Sequence, residues 1–222
     1  MQEPWLLHIN IQRRTMRYFV TGIGTDVGKS WATGWLARRW MAEGKSVITQ
    51  KFIQTGNIGR SEDIEAHRHI MGIDMTKEDK EMLTAPEIFS YPCSPDLAAR
   101  IDGREIDFDR IEEAADILES RYDILLIEGA GGIMVPLKGE YLTIDYIRDK
   151  KLPAIVVTNG QLGSISHTLL TLEAIRHEGI NLAEVVYNPY FDKDDTICAD
   201  TKEYLRGYLK QKFPETVFTE MH

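Results

Sequence analysis

Three glycines, a lysine and a serine follow an apolar run in "YFVTGIGTDVGKS", Tyr18 to Ser30. After a strand ending near Gly22, such a loop can turn successive backbone N–H groups inward. The following helix adds the positive end of its dipole to the same spot. The chemistry this suits is capture of an anion, above all a chain of phosphates. Gly22, Gly24 and Gly28 allow close backbone approach, Lys29 reaches the outer phosphates, and the Ser30 hydroxyl suits magnesium. Five residues separate Gly22 from Gly28, one more than the usual G-x4-G-K-[ST] spacing. The plain alternative is a Gly-rich turn with a surface lysine.

A magnesium–nucleotide site also needs carboxylates from other strand ends. Glu128 closes the apolar run "DILLIEG", where an unpaired buried charge is costly, so a metal or hydrogen-bonding partner is expected. The "GAGG" that follows lets a ligand approach the backbone. Asp63 in "GRSEDIEAHR" has two readings: a ligand or, with Ser61 and Glu62, the cap and dipole partner of a helix start. His67 and His69, two apart on one helix, do not face each other and read as solvated positions. His167 reads as a satisfied structural residue, and Trp31, Trp35 and Trp40 as packing against a sheet. The acidic run from Asp192 to Asp195 reads as a solvated turn before the last helix.

The elements that must position these groups alternate along the chain. Strand candidates are "RYFVTG" from Arg17, "SVITQKF" from Ser46, "YDILLIEG" from Tyr122, "PAIVVTNG" from Pro153 and "AEVVYN" from Ala183. Between them "KSWATGWLARRWMAEG", "SEDIEAHRHIMG", "DFDRIEEAADILESR", "LTIDYIRDKK" and "SISHTLLTLEAIRHEG" read as helices with an apolar face. Unalternated apolar strands imply burial on both sides, hence one doubly wound α/β domain over residues 16–222, its mostly parallel sheet flanked by helices. Residues 1–15 read as an N-terminal extension. A net charge of −9 disfavours a sequence-independent polyanion binder. Two distant cysteines, Cys93 and Cys198, offer neither a disulfide framework nor zinc spacing, and no stretch reads as a signal peptide or bilayer span. The cytoplasm is therefore the expected compartment.

The motifs "YFVTGIGTDVGKS", "QKFIQTG", "SED", "EGAGG" followed by "VPL", "LGSISHTLLTLEAI" and "YNP", in this order and at these separations, resemble those of dethiobiotin synthetases. The resemblance runs from Arg17 to the helix holding Tyr204. It implies a P-loop NTPase-type fold and an ATP-dependent cyclo-ligase of biotin biosynthesis, acting on 7,8-diaminopelargonate, CO2 and ATP. By the same resemblance Lys29, with Thr25, contacts phosphates and carbamate, Lys51 steadies the carbamate and the transferring group, and Thr55 and Gly131 hold the diamine. Ser30, Asp63 and Glu128 become the magnesium set. Asp26, Val27, Gly28, Trp31, Gly129, Ala130, Gly131, Asn188 and Pro189 belong to the nucleotide site, with Asn188 at the adenine edge.

The far carboxylate of the substrate is implied at the helix opening in "LGSISH", through Gly163 and Ser164. A second subunit of a homodimer would supply this helix along with Tyr204. Small molecules are the expected partners, with no nucleic acid and no membrane. Gly24 and Asp26 depart from the acidic residue and glutamate common in the family loop, and Gln161 and Ser166 from a basic residue and an asparagine. "FPETVFTEMH" lacks a "GEIP"-like segment, so looser nucleotide selectivity is expected. The competing class is a nucleotide-switch ATPase of the partition or cell-division-site type, which usually carries a second lysine where Gly24 stands. A related amidoligase would need a glutaminase domain that 222 residues do not accommodate.

Overall fold

Apolar residues that point alternately to opposite faces of a strand must be covered twice. That requirement organises the computed structural model, which describes residues 15–222. The expected extension therefore lies outside the described residues except for Thr15, whose hydroxyl donates to the Glu119 carbonyl at 2.8 Å.

The first part of the chain forms β1 (Met16–Gly22), α1 (Lys29–Ala42), β2 (Val47–Lys51), β3 (Gln54–Thr55) and α2 (Glu62–Met71). The middle adds α3 (Lys77–Lys80), β4 (Ile88–Phe89), α4 (Pro95–Ile101), α5 (Phe108–Arg121) and β5 (Ile124–Gly132). Then come β6 (Pro136–Lys138), β7 (Tyr141–Leu142), α6 (Thr143–Asp149), β8 (Ala154–Asn159) and α7 (Ser164–His177). The last elements are β9 (Leu182–Asn188), a 3-10 turn at Pro189–Phe191, α8 (Asp195–Lys212) and β10 (Val217–Glu220).

Six strands make one sheet in the order β10-β9-β8-β1-β5-β2, with every pairing parallel. On one face Phe19, Leu125, Ile127, Val156 and Val185 pack against Ile111, Leu118, Tyr146 and Leu172 from α5, α6 and α7. On the other, Val20, Leu126, Ile155, Val157 and Val186 pack against Ala32, Trp35, Leu36 and Met71 from α1 and α2. Neighbouring residues of one strand thus anchor opposite layers. Because the sheet is parallel, its carboxyl ends share one rim, where ligands bind in such folds.

The five expected central strands are present, and the structure adds a sixth. The edge strand β10 runs Val217 to Glu220 against β9. Four residues of mixed polarity carry too little apolar signal to announce a strand. The tryptophans also divide: Trp35 is buried in the core and Trp40 stacks on Tyr18, but Trp31 is 57% exposed. It lies on the turn of α1 that faces the rim, away from the sheet. No helix among the described residues is long and apolar enough to cross a membrane.

Candidate functional site

The loop between β1 and α1 is shaped by residues in the left-handed region, Asp26 at φ 56° and Gly28 at φ 94°. A Cβ on Gly28 would come within 2.2 Å of Asn188 Nδ2, so glycine is required there by both conformation and space. The helix begins with Lys29, and no side chain caps its first N–H groups, which leaves them open to an anion. Lys29 is 7% exposed, and its ammonium donates back to the Gly24 carbonyl at 3.0 Å. Burial pulls this ammonium below its ordinary range and Lys51 adds to that, against the opposing pull of Glu128.

Two strand ends meet in register beside it: Lys51 on β2 is the partner of Glu128 on β5, and Glu128 is the partner of Val20 on β1. Lys51 Nζ lies 2.7 Å from Glu128 Oε1 and 2.6 Å from Asp63 Oδ2. Ser30 Oγ sits 2.9 Å from Asp63 Oδ1 and 2.9 Å from Glu128 Oε1. Both readings of the "SED" segment contribute: Ser61 caps α2 by accepting from Ile64 N–H, while Asp63 turns toward Lys51 and Ser30. Burial alone would raise the Glu128 carboxyl and lower the Lys51 ammonium. Their mutual attraction wins, holding Glu128 far below and Lys51 above the ordinary value.

One hydroxyl and two carboxylates converging at this distance are hard oxygen donors, the set that suits magnesium when phosphate oxygens and water complete its shell. Among the described residues no three His, Cys, Asp or Glu side chains form a metal cage. A cation here would depend on ligands that arrive with it.

A cavity of about 390 Å³ opens over the loop. Its wall holds Thr25, Asp26, Gly28, Lys29, Ser30, Trp31, Lys51, Thr55, Asp63, Glu128, Ala130 and Gly131. A second cavity of about 460 Å³ shares Gly28 and Trp31 and continues past Asn188, Pro189, Tyr190, Phe191, Met221 and His222. Its largely apolar wall suits a flat ring better than a phosphate.

A family model described as an AAA domain matches residues 16–217. The ATP-dependent dethiobiotin synthetase BioD 2 of Pasteurella multocida is 47% identical over 204 residues, 92% of this chain and 96% of that protein. The ATP-dependent dethiobiotin synthetase BioD of Chlorobaculum tepidum is 46% identical over 192 residues, 86% and 80% of the two chains. The chain belongs to the dethiobiotin synthetase family. At the level of fold alone it is similar to a putative plasmid partition protein of Borrelia burgdorferi bound to AMPPNP. There the TM-score is 0.52 and the identity 12%, with 93% and 86% of the chains covered.

Within this synthetase scaffold, the residues expected at the nucleotide divide into wall and support. Val27 is buried in the core, and its carbonyl accepts from Asn188 Nδ2 at 2.9 Å. The other side-chain atom of Asn188, Oδ1, accepts from Tyr190 N–H, so this amide fastens the loop to the end of β9. Gly129 lies against the Phe19 ring and turns its carbonyl toward Lys51 Nζ at 3.3 Å. Gly163, Ser164 and Tyr204 line neither cavity. Gly163 borders a separate hollow between the start of α7 and α8, and Tyr204 is half exposed on α8.

Two readings of the polar residues need correction. His67 is fully buried, not solvated: its Nε2 lies 2.5 Å from Glu128 Oε2 and its Nδ1 2.9 Å from Thr49 Oγ1. His69 is exposed, whereas the partner of His67 is on another element. The informative spacing was Asp63 to His67, four apart on α2 and hence on one helical face. His167 is exposed. The acidic run is, as expected, the turn before the last helix, with Asp194 and Asp195 exposed; Asp192 alone is tied to β9, accepting from the Tyr187 hydroxyl at 2.8 Å.

Proposed function

We propose that this protein carboxylates 7,8-diaminopelargonate with CO2 and, driven by ATP, closes the ureido ring of dethiobiotin. The observation that carries the reading is the convergence of Lys29, Lys51, Ser30, Asp63 and Glu128 on one cavity, in a chain 46–47% identical to named dethiobiotin synthetases.

In this mechanism an amine of the substrate adds to CO2 and loses a proton, giving a carbamate. A carbamate oxygen attacks the γ-phosphate and ADP leaves. The second amine then attacks the carbonyl of the mixed anhydride, closing the ring and releasing phosphate and a proton. Each step collects negative charge, so fixed cations and N–H groups are what the reaction asks of the protein. Lys29, beside the open N–H groups of α1, holds the transferring phosphate. Lys51 faces the carbamate, Thr25 stands with Lys29 at the phosphates and carbamate, and Thr55 and Gly131 border the diamine.

Ser30, Asp63 and Glu128 would hold magnesium, which when bound draws charge from the phosphate oxygens. The second cavity takes the base, with Trp31, Asn188 and Pro189 around it. Its largely apolar lining favours stacking over edge recognition, which supports loose base selectivity. The substrate carboxylate is assigned to the start of α7 in a homodimer, through Gly163, Ser164 and the Tyr204 of a second copy. Ser164 Oγ is buried and has no partner among the described residues, which supports an incoming acceptor there. The cytoplasm is the proposed compartment.

The test is direct: purified protein with the diamine, bicarbonate and Mg-ATP should form dethiobiotin, with ADP release dependent on the diamine. Hydrolysis that ignores the diamine but rises with DNA or lipid vesicles would transfer the chain to the nucleotide-switch class.

A further inference from the structure

We propose that His67 is a positioning residue for Glu128, pinning one carboxylate oxygen so that the other is presented to Ser30 and Lys51. The inference rests on the proposed reading of Glu128 as a ligand of the magnesium–nucleotide complex.

The two oxygens of Glu128 have separate partners. Oε1 meets the Ser30 hydroxyl at 2.9 Å and the Lys51 ammonium at 2.7 Å. Oε2 meets His67 Nε2 at 2.5 Å. The terminal torsion of a glutamate is broad and nearly two-fold, so Lys51 and Ser30, both on Oε1, do not by themselves fix the plane of the group. A donor on the second oxygen does.

The imidazole is itself held from behind. A carboxylate only accepts, so Nε2 is the donor toward Glu128. The Thr49 hydroxyl lies 2.9 Å from Nδ1 and receives Arg68 Nη1 at 2.8 Å, which leaves its own proton for Nδ1. Arg68 in turn clasps Asp79 at 2.7 and 2.9 Å. Arg68, Thr49, His67 and Glu128 are all buried, so water does not compete for these bonds.

Two local periodicities build the chain of contacts. Thr49 and Lys51 are two apart on β2 and share a face of the strand. Asp63 and His67 are four apart on α2 and share a face of the helix. Strand and helix thus deliver one residue that faces the cavity and one that braces it, on either side of Glu128.

The test uses Mn2+ as the probe, titrated into full-length protein with saturating ADP and followed by electron paramagnetic resonance. Partners that hydrogen-bond a metal-binding carboxylate typically contribute about 10–100-fold in metal affinity. His67→Leu should therefore weaken Mn2+ binding about tenfold or more while melting cooperatively. His67→Gln, whose amide can still donate to Oε2, should recover much of that loss, a rescue that a space-filling role does not predict. Glu128→Gln serves as the reference.

Mn2+ affinity of His67→Leu within twofold of the unaltered protein, with Glu128→Gln weakened, overturns the inference alone. An unaffected Glu128→Gln overturns the site reading and the inference with it. If the leucine variant does not melt cooperatively, His67→Gln is compared with His67→Asn, whose shorter amide cannot reach Glu128, and equal affinities overturn the proposal.

Discussion

Replacing Lys51 by methionine keeps most of the side-chain volume and removes the ammonium that lies within 2.7 Å of both Asp63 and Glu128. Removing one partner of a buried ion pair costs about 3–5 kcal/mol, because the other charge is left in a dry site. Glu128 keeps His67 and Ser30 as partners, and the Asp63 side chain is 27% exposed, so the lower end applies, about 3 kcal/mol. In a chain of this size each kcal/mol moves the melting temperature by about 2–4 °C, which predicts a fall of roughly 6–12 °C without ligand. Mg-ADP should narrow the gap between variant and parent, since on the proposed reading of the site a divalent cation would take over neutralisation of the same carboxylates. Nucleotide binding should survive, whereas kcat should drop about 10²–10³-fold, the scale for losing one preorganised donor. Calorimetry with and without Mg-ADP, alongside diamine-dependent ADP release, reads all three quantities. A melting temperature within 2 °C of the parent together with an unchanged kcat would refute both the burial argument and the role of Lys51.

Three further outcomes follow from particular contacts. Gly28→Ala forces a Cβ to within 2.2 Å of Asn188 Nδ2 at φ 94°, and should weaken nucleotide binding at least tenfold in a fluorescent-nucleotide titration; an affinity within twofold would show that the loop adapts freely. Burial pushes the Asp79 carboxyl up, but the Arg68 guanidinium outweighs this and holds it at about 2, below the ordinary 3.8. The resulting stability, about 2 kcal/mol, is present above pH 4 and lost as pH falls toward 2; urea midpoints should show this, and Asp79→Asn should be less stable at neutral pH and flatten that part of the profile. Trp31 is exposed and borders both cavities, so Trp31→Ala should weaken ADP binding by about 1–3 kcal/mol, the scale of base–aromatic stacking, with an unchanged melting temperature in the absence of nucleotide; equal ADP affinities would remove the tryptophan from the site.

How far the sequence discloses the site depends on whether the signal is local. The loop from Gly22 to Ser30 combines its glycines, lysine and serine within one short segment, and Glu128 is conspicuous as a charge ending an apolar run; both lie on the cavity wall or at its edge. The strands were legible for the same reason, since burial on two faces leaves continuous apolar stretches, while β10, with four residues of mixed polarity at an edge, leaves almost no trace. The environment of His67 is not legible locally, because it is set by the register of two strands far from it in sequence. Lys51 aligns with Glu128 and Thr49 with Leu126, and only that alignment puts Thr49 and Glu128 on either side of one imidazole. Even so, the ingredients obey short-range rules: residues 63 and 67 at helical spacing, 49 and 51 at strand spacing. A buried carboxylate at a strand end demands donors on both of its oxygens, and Lys51 and Ser30 together address only Oε1. That unmet demand calls for a further polar residue from a neighbouring element, and the helix already supplying Asp63 offers His67 one turn later.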